Sequence, residues 1–190
     1  MPIRKSLAFK KQIANRNFLS PTGFKFSLVR APKVAYFANS ATVPGINLGS
    51  TEQPSYLKMI PVPGDMMEFN DFSLRFLVDE DLENYVEIQK WMRGLGFPES
   101  LQEIYDLQEQ DNLLGLPYTL NQQNFYSDGT LQILTNTENL HYNIIFKDMF
   151  PISLSDLEFD STDTDVQYFA ATVTFKYSIY VINNRFNERV

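Results

Sequence analysis

Between Glu68 and Gly96 the spacing of apolar residues changes period once, and that change predicts the centre of the fold. Phe72, Leu74, Phe76 and Val78 alternate with Asp71, Ser73 and Arg75, the two-residue repeat of a half-buried strand. From Leu82 onward Leu82, Tyr85, Ile88, Trp91, Met92 and Leu95 fall three and four apart, which predicts an amphipathic helix over 79–94. Asp79 or Asp81 is the expected N-cap, because a carboxylate there accepts orphan backbone N–H groups; Gly94 is the expected left-handed closure. A strand feeding such a helix, with the one tryptophan on its stripe, predicts a sheet covered on one face by one helix.

Alternation elsewhere predicts strands. Phe24, Phe26 and Leu28 oppose Lys25 and Ser27 in a first strand that Pro32 ends, and Ala35 to Val43 reads as a second, stopped by Pro44-Gly45. Residues 44–64 carry Pro54, Pro61, Pro63 and little clean periodicity, so they read as a long loop, with an edge strand possible over Lys58 to Val62. Glu99 to Asn112 admits a second helix on Leu101, Ile104, Tyr105 and Leu107, within an acidic insertion over 99–124. Ser127-Asp128-Gly129 is a turn signal before a hairpin of Thr130 to Thr135 with Leu140 to Lys147, which Phe150-Pro151 breaks. Ser155 to Asp160 alternates again, and Phe169 to Val181 reads as one unbroken strand. The fold class expected is therefore mainly β, an antiparallel sandwich or barrel with one main packed helix.

Composition narrows what such a domain does. At 190 residues the chain builds one full-sized domain, here 21–190 behind an arm over 1–20. The absence of cysteine excludes disulfides and thiolate chemistry, and no apolar run reaches the roughly 18 residues of a membrane span, so no membrane insertion is expected. The arm holds Arg4, Lys5, Lys10, Lys11 and Arg16 with no acid, leaving the other 11 basic groups against all 23 acidic ones in the remainder. Such an arm is either an untidy terminus or a segment docking on an acidic partner.

Candidate chemistry is sparse. Phosphate-binding glycine loops, GxSxG and HExxH are all missing, so no enzyme activity and no cofactor are expected. His141 has no second histidine with which to share a metal and reads as an ordinary strand residue. Asp160, Asp163 and Asp165 lack the glycine and final glutamate of a calcium loop, and nothing places Glu68 with Asp71 in a pocket.

The order and spacing of these segments resemble the tail tube proteins of contractile-tailed bacteriophages, relatives of the type VI secretion tube. The matching features are Phe24-x-Phe26-x-Leu28, Thr42-Val43-Pro44-Gly45, the loop carrying Lys58 to Gly64, Asp71 to Phe76 leading to the helix at Trp91, Pro151 to Asp160, and Thr172 to Phe175. They cover about residues 21 to 182. The basic arm and the 99–124 insertion depart from that pattern.

The resemblance implies a structural virion protein forming stacked hexameric rings around a lumen through which DNA passes without specific binding. It would be assembled in the host cytoplasm, with copies of itself, the tail sheath and baseplate or neck proteins as partners. A specialised first or last ring is the alternative; a stand-alone binding module using Tyr126, Tyr168 and Tyr180 is a further one. On the tube reading Lys25, Ser27, Asp71, Ser73, Arg75, Thr172, Thr174, Lys176 and Ser178 face the lumen. Pro44, Gly45, Gln53, Tyr56, Lys58, Pro61 and Pro63 belong to an inter-ring loop, and Arg4, Lys5, Lys10, Lys11 and Arg16 bind a partner.

Overall fold

A computed structural model describes residues 17–113, 125–159, 168–186 and 188–189. Nine strands carry the architecture: β1 (Phe24–Leu28), β2 (Ala38–Ala41), β3 (Ile46–Pro54), β4 (Met59–Phe69), β5 (Phe72–Leu77), β6 (Ser127–Leu134), β7 (Leu140–Leu154), β8 (Ala170–Lys176) and β9 (Ile179–Asn184). Three helices join them: α1 (Pro32–Tyr36), α2 (Glu83–Gly96) and α3 (Gln102–Leu113). All strand pairs are antiparallel. Among the described residues one sheet runs β1-β6-β7-β8-β5-β2 with β9 also on β7, and β3 pairs only with β4.

The long sheet folds on itself through β7. The first part of β7 lies between β6 and β9, whereas Phe150 to Leu154 pair with β8. At the bend Asp148 takes φ 54°, and the β6 register shifts between Ser127 and Gly129. An extra residue on one strand bends a ladder without ending it. The Ser127-Asp128-Gly129 turn signal and the Phe150-Pro151 break thus mark a corner inside continuous strands, where a turn leading into the hairpin and a stop were expected.

Apolar faces meet inside the fold. Phe26 stacks on Phe72 at 5.3 Å between ring centroids, and Phe72 meets Phe146 at 4.7 Å and Phe175 at 6.2 Å. Leu74, Phe76, Ala171, Val173, Ile144 and Met149 are buried in the same core. At roughly 1.5–3 kcal/mol for each large side chain buried, this cluster is what holds the two halves of the sheet together.

Four further expectations are corrected. The second strand is shorter than Ala35 to Val43, because Pro32 opens α1, where its fixed φ suits the first turn and Val34 is drawn into the core. Neither Asp79 nor Asp81 caps α2. Leu82, at φ 59°, enters the helix directly, and buried Asn84 turns back to donate to the Leu77 carbonyl (2.8 Å) and accept from the Asp79 N–H (3.2 Å). Gly94 does not close α2. It lies inside the helix against Leu107 of α3, and Phe97, at φ 33°, makes the turn. Ser155 to Phe159 form no strand: Ser155 Oγ takes the Thr172 N–H at 3.0 Å, so the ladder ends there.

Phe169 to Val181 divides at Tyr177-Ser178. β8 pairs with β5 and the end of β7, while β9 pairs with the start of β7, so one straight strand cannot serve both halves. The side-chain phase shifts by one across the break: Val173 and Phe175 face the core in β8, but Tyr180 and Ile182 align with Phe146 and Ile144 in β9.

Candidate assembly surface

The long segment expected as a loop is a two-stranded ribbon, β3–β4, with its root at Pro44-Gly45 and Asn70 and its tip at Tyr56 and Leu57. Paired prolines survive in a ladder only where a missing N–H points away from the partner, and Pro61 and Pro63, two apart, share that side opposite Glu52 and Ser50. Gly49 and Gly64 allow a register shift: a Cβ on Gly64 would come within 2.7 Å of the Gly49 carbonyl. The ribbon is exposed along nearly its whole length on both faces. It therefore lacks the one-sided alternation by which strands are read, although it is paired from end to end.

Its surface is unusual for an exposed element. Ile46, Leu48, Met59, Ile60, Val62, Met66 and Met67 are all open to solvent, Leu57 at the tip is 90% exposed and Tyr56 is wholly so. Apolar exposure of this extent, spread over both faces of the ribbon, marks a contact surface. Gln53 and Lys58 interrupt it with polar groups, and β3, β4 and β2 each carry an outer edge unpaired within the described residues.

The polar strand faces divide into two sets. Ser73 lies opposite Thr174, Arg75 opposite Thr172 and Ser40, and Ser153 opposite Thr174, so these hydroxyls form one face with Arg75, on which Lys176 lies at the far end of β8. Lys25 lies opposite Gln132 and Ser27 opposite Thr130, on the outer face of the other half. Because the two halves press their apolar sides together, these polar faces point in opposite directions. Asp71 precedes β5 in the turn that returns from the ribbon, and Ser178 sits in the break between β8 and β9. The nine residues expected to share one face therefore do not. Lys25, Arg75 and Lys176 make no ion pair among the described residues, and Arg4, Lys5, Lys10, Lys11 and Arg16 lie outside those residues.

A second surface is formed by the helices. α3 rests on α2 through Leu107, with Arg93 bonded to Glu103 (Nε to Oε1, 2.7 Å) and paired with Glu99 (3.0 Å), while Leu101 and Tyr105 face outward. On the opposite flank Lys33 of α1 pairs with Glu83, and the Arg30 guanidinium lies over the Trp91 ring at 5.2 Å. Trp91 Nε1 donates to the Phe125 carbonyl at 3.0 Å. Burial pushes the Glu87 carboxyl above its ordinary range, with Lys33 opposing the shift.

Of the tyrosines considered as ligand contacts, Tyr126 packs edge-on to Phe150 and Tyr180 packs against Phe69 and Phe146; Tyr168 is exposed. The rings of Tyr126 and Tyr180 are thus engaged in the fold. His141 lies edge-on to Tyr142 beside a cavity of about 810 Å³ at the end of the β6–β7 hairpin. Among the described residues no group of three or more His, Cys, Asp or Glu side chains could hold a metal ion, and no helix is long and apolar enough to cross a membrane.

The sheet is folded on itself with α2 packed by one face, and its apolar ribbon is uncovered among the described residues. The family model described as phage tail tube protein matches residues 6–183. The chain belongs to this tail tube family. It is 24% identical over 173 residues to the tail tube terminator protein of Enterobacteria phage T4, covering 87% of this chain and 89% of that one. In fold it is similar to the tube terminating cap of the anti-feeding prophage (TM-score 0.62, 15% identity, 94% of this chain and 99% of that one). It is also similar to the sheath/tube terminator of the PVC extracellular contractile injection system in its extended state (TM-score 0.54, 18% identity, 89% and 99%). The mainly β, tail-tube-like fold read from the strand order is thus borne out, and with it the resemblance. Two parts of this tube-family surface escaped sequence reading. The β3–β4 pairing left a partial signal, the edge strand read over Lys58 to Val62, which is the start of β4, and the break at Tyr177-Ser178 left none, since neither glycine nor proline marks it.

Proposed function

We propose that this chain is the subunit of a ring that ends the tail tube, a structural part of the virion with no catalytic role. The observation that carries this reading is the match to the T4 tail tube terminator across most of both chains. The β3–β4 ribbon supports assembly as such: its exposed apolar residues and open edges are satisfied when neighbouring copies, or the ring below, cover them. Rings are hexameric in this reading and meet tube on one side, with sheath around them. The hydroxyl-rich face of Ser73, Thr172, Thr174 and Ser153 lines the passage, where most groups are small and neutral and only Arg75 and Lys176 bind phosphates by releasing counterions. DNA then slides past without being held.

Copy number and deletion test the role. A terminal ring is present as one ring's worth of subunits per particle, and quantitative mass spectrometry against the sheath protein measures this. Particles lacking the protein should then carry tubes of irregular length. Many rings per particle, with no tube at all after deletion, would make it the repeating subunit instead. A stable monomer with normal tails after deletion would return it to the binding-module reading.

A further inference from the structure

The β3–β4 ribbon leaves the folded sheet through two single-chain roots, Pro44-Gly45 and Asn70-Asp71, and both roots are held by the same corner. Tyr177 lies in the break between β8 and β9, and Tyr180 is the second residue of β9. Tyr177 Oη donates to the Asn70 carbonyl at 2.8 Å, and Tyr180 Oη donates to the Pro44 carbonyl at 3.3 Å. Between them the Phe69 ring, the last ribbon residue, lies edge-on to Tyr180 at 5.5 Å and to Tyr177 at 6.2 Å. Phe146 backs both tyrosines at 5.1 and 5.8 Å and passes the contact to Phe72 in the core. The roots are also tied to each other: the Asn70 N–H donates to the Gly45 carbonyl at 3.0 Å, and Asn47 Nδ2 donates to Asn70 Oδ1 at 3.0 Å.

A two-stranded ribbon on such roots would otherwise pivot, because its strands bond only to each other and its residues are exposed to the tip. We propose that Tyr177 and Tyr180 are positioning residues that set the direction in which the ribbon leaves the body, so that it meets its neighbour already aimed. Each hydroxyl holds one root, and the two tyrosine rings around Phe69, backed by Phe146, stop the pair from rotating together. Burial, then the neighbouring Tyr180 and Asp71, push the Tyr177 hydroxyl up to about 12, so it is a protonated donor at neutral pH. This inference rests on the reading that the ribbon contacts another copy. Aim matters for such a contact because affinity falls in proportion to the fraction of subunits in the competent orientation: if one in ten ribbons points correctly, assembly weakens roughly tenfold.

The absence of cysteine makes the test direct. Ser55→Cys at the tip and Thr130→Cys on the body carry spin labels, with labelled copies diluted into unlabelled protein. The distance distribution is measured with Tyr177 and Tyr180 intact, with each changed to Phe, and with both changed. The phenylalanines keep the rings and remove only the hydroxyls, and if the double variant does not fold, the two single variants still report separately. A narrow distribution that broadens with each hydroxyl lost is the expected result. Equal widths in all variants would overturn the proposal, whatever assembly does. Assembly is scored separately, in these variants and in one with Tyr56 and Leu57 changed to Ser but the roots intact. Broadening without any change in assembly, together with normal assembly of the tip variant, would leave the positioning role standing and remove the docking reading on which its purpose rests.

Discussion

Replacing Gly94 by alanine should destabilise the protein, against the rule that alanine favours a helix interior. A Cβ at this position would lie 2.6 Å from Leu107 Cδ2, 2.8 Å from Leu107 Cβ and 3.0 Å from Leu107 Cγ. Comfortable carbon contacts are about 3.5–4.0 Å, so either α3 moves by about 1 Å or Leu107 leaves its rotamer. Overpacking of that kind costs about 1–3 kcal/mol, and the propensity gain on replacing glycine returns about 1, for a net loss near 1 kcal/mol. For a chain of this size that is a fall in Tm of about 2–4 °C. Leu107→Ala should cost about 2–3 kcal/mol alone, because Leu107 is 5% exposed, yet it removes two of the three close atoms. Gly94→Ala should therefore become neutral or stabilising in the Leu107→Ala background, a coupling of about 1–2 kcal/mol. Urea unfolding at one protein concentration, followed by the fluorescence of Trp91 three residues away, measures all four corners of the cycle. Hydrogen exchange in α3 separates local undocking from global unfolding. If Gly94→Ala raises stability in the wild-type background, α3 is not seated on α2 as described.

Other perturbations probe the remaining surfaces. Tyr56→Ser with Leu57→Ser at the ribbon tip should leave the subunit's stability within about 0.5 kcal/mol, since neither side chain is buried in it. The same pair should weaken assembly tenfold or more, because covering one leucine is worth about 1.5–3 kcal/mol; light scattering against concentration reads both. Glu87 has a raised pKa in the fold, so the protonated form is the better accommodated one. Stability should therefore fall as pH rises from the ordinary carboxylate range through the raised folded pKa, and Glu87→Gln should raise Tm at pH 7 but not at pH 4. Thr172→Lys with Thr174→Lys should leave tails intact but slow DNA release, whereas Ser27→Lys with Thr130→Lys on the opposite face should not. Equal release rates in the two pairs would mean that the hydroxyl face does not line the passage.

How far the sequence alone reached depended on one-sided burial. Phe72, Leu74 and Phe76 were legible as a strand, and Tyr85, Ile88 and Trp91 as a helix stripe, because water lies on one side of each and the core on the other, which writes a period into the residues. The antiparallel order and the tail tube resemblance followed from those segments and their spacing. The β3–β4 ribbon has solvent on both faces of the lone subunit, so nothing in its residues distinguishes an inside, and its prolines read as loop. Nor do local residues say which strands pair. The lumen set drawn from alternation placed Lys25 and Ser27 with Thr172 and Thr174, since each list is the polar side of its own strand. Only the fold of β7 across two half-sheets decides that these polar sides face opposite ways. The same folding divides Phe169 to Val181 at Tyr177-Ser178 and brings both tyrosines to the ribbon's roots. Period is a property of a strand and its burial, which neighbouring residues encode. Orientation between faces belongs to contacts far apart in the chain, and those exist only once the core has closed.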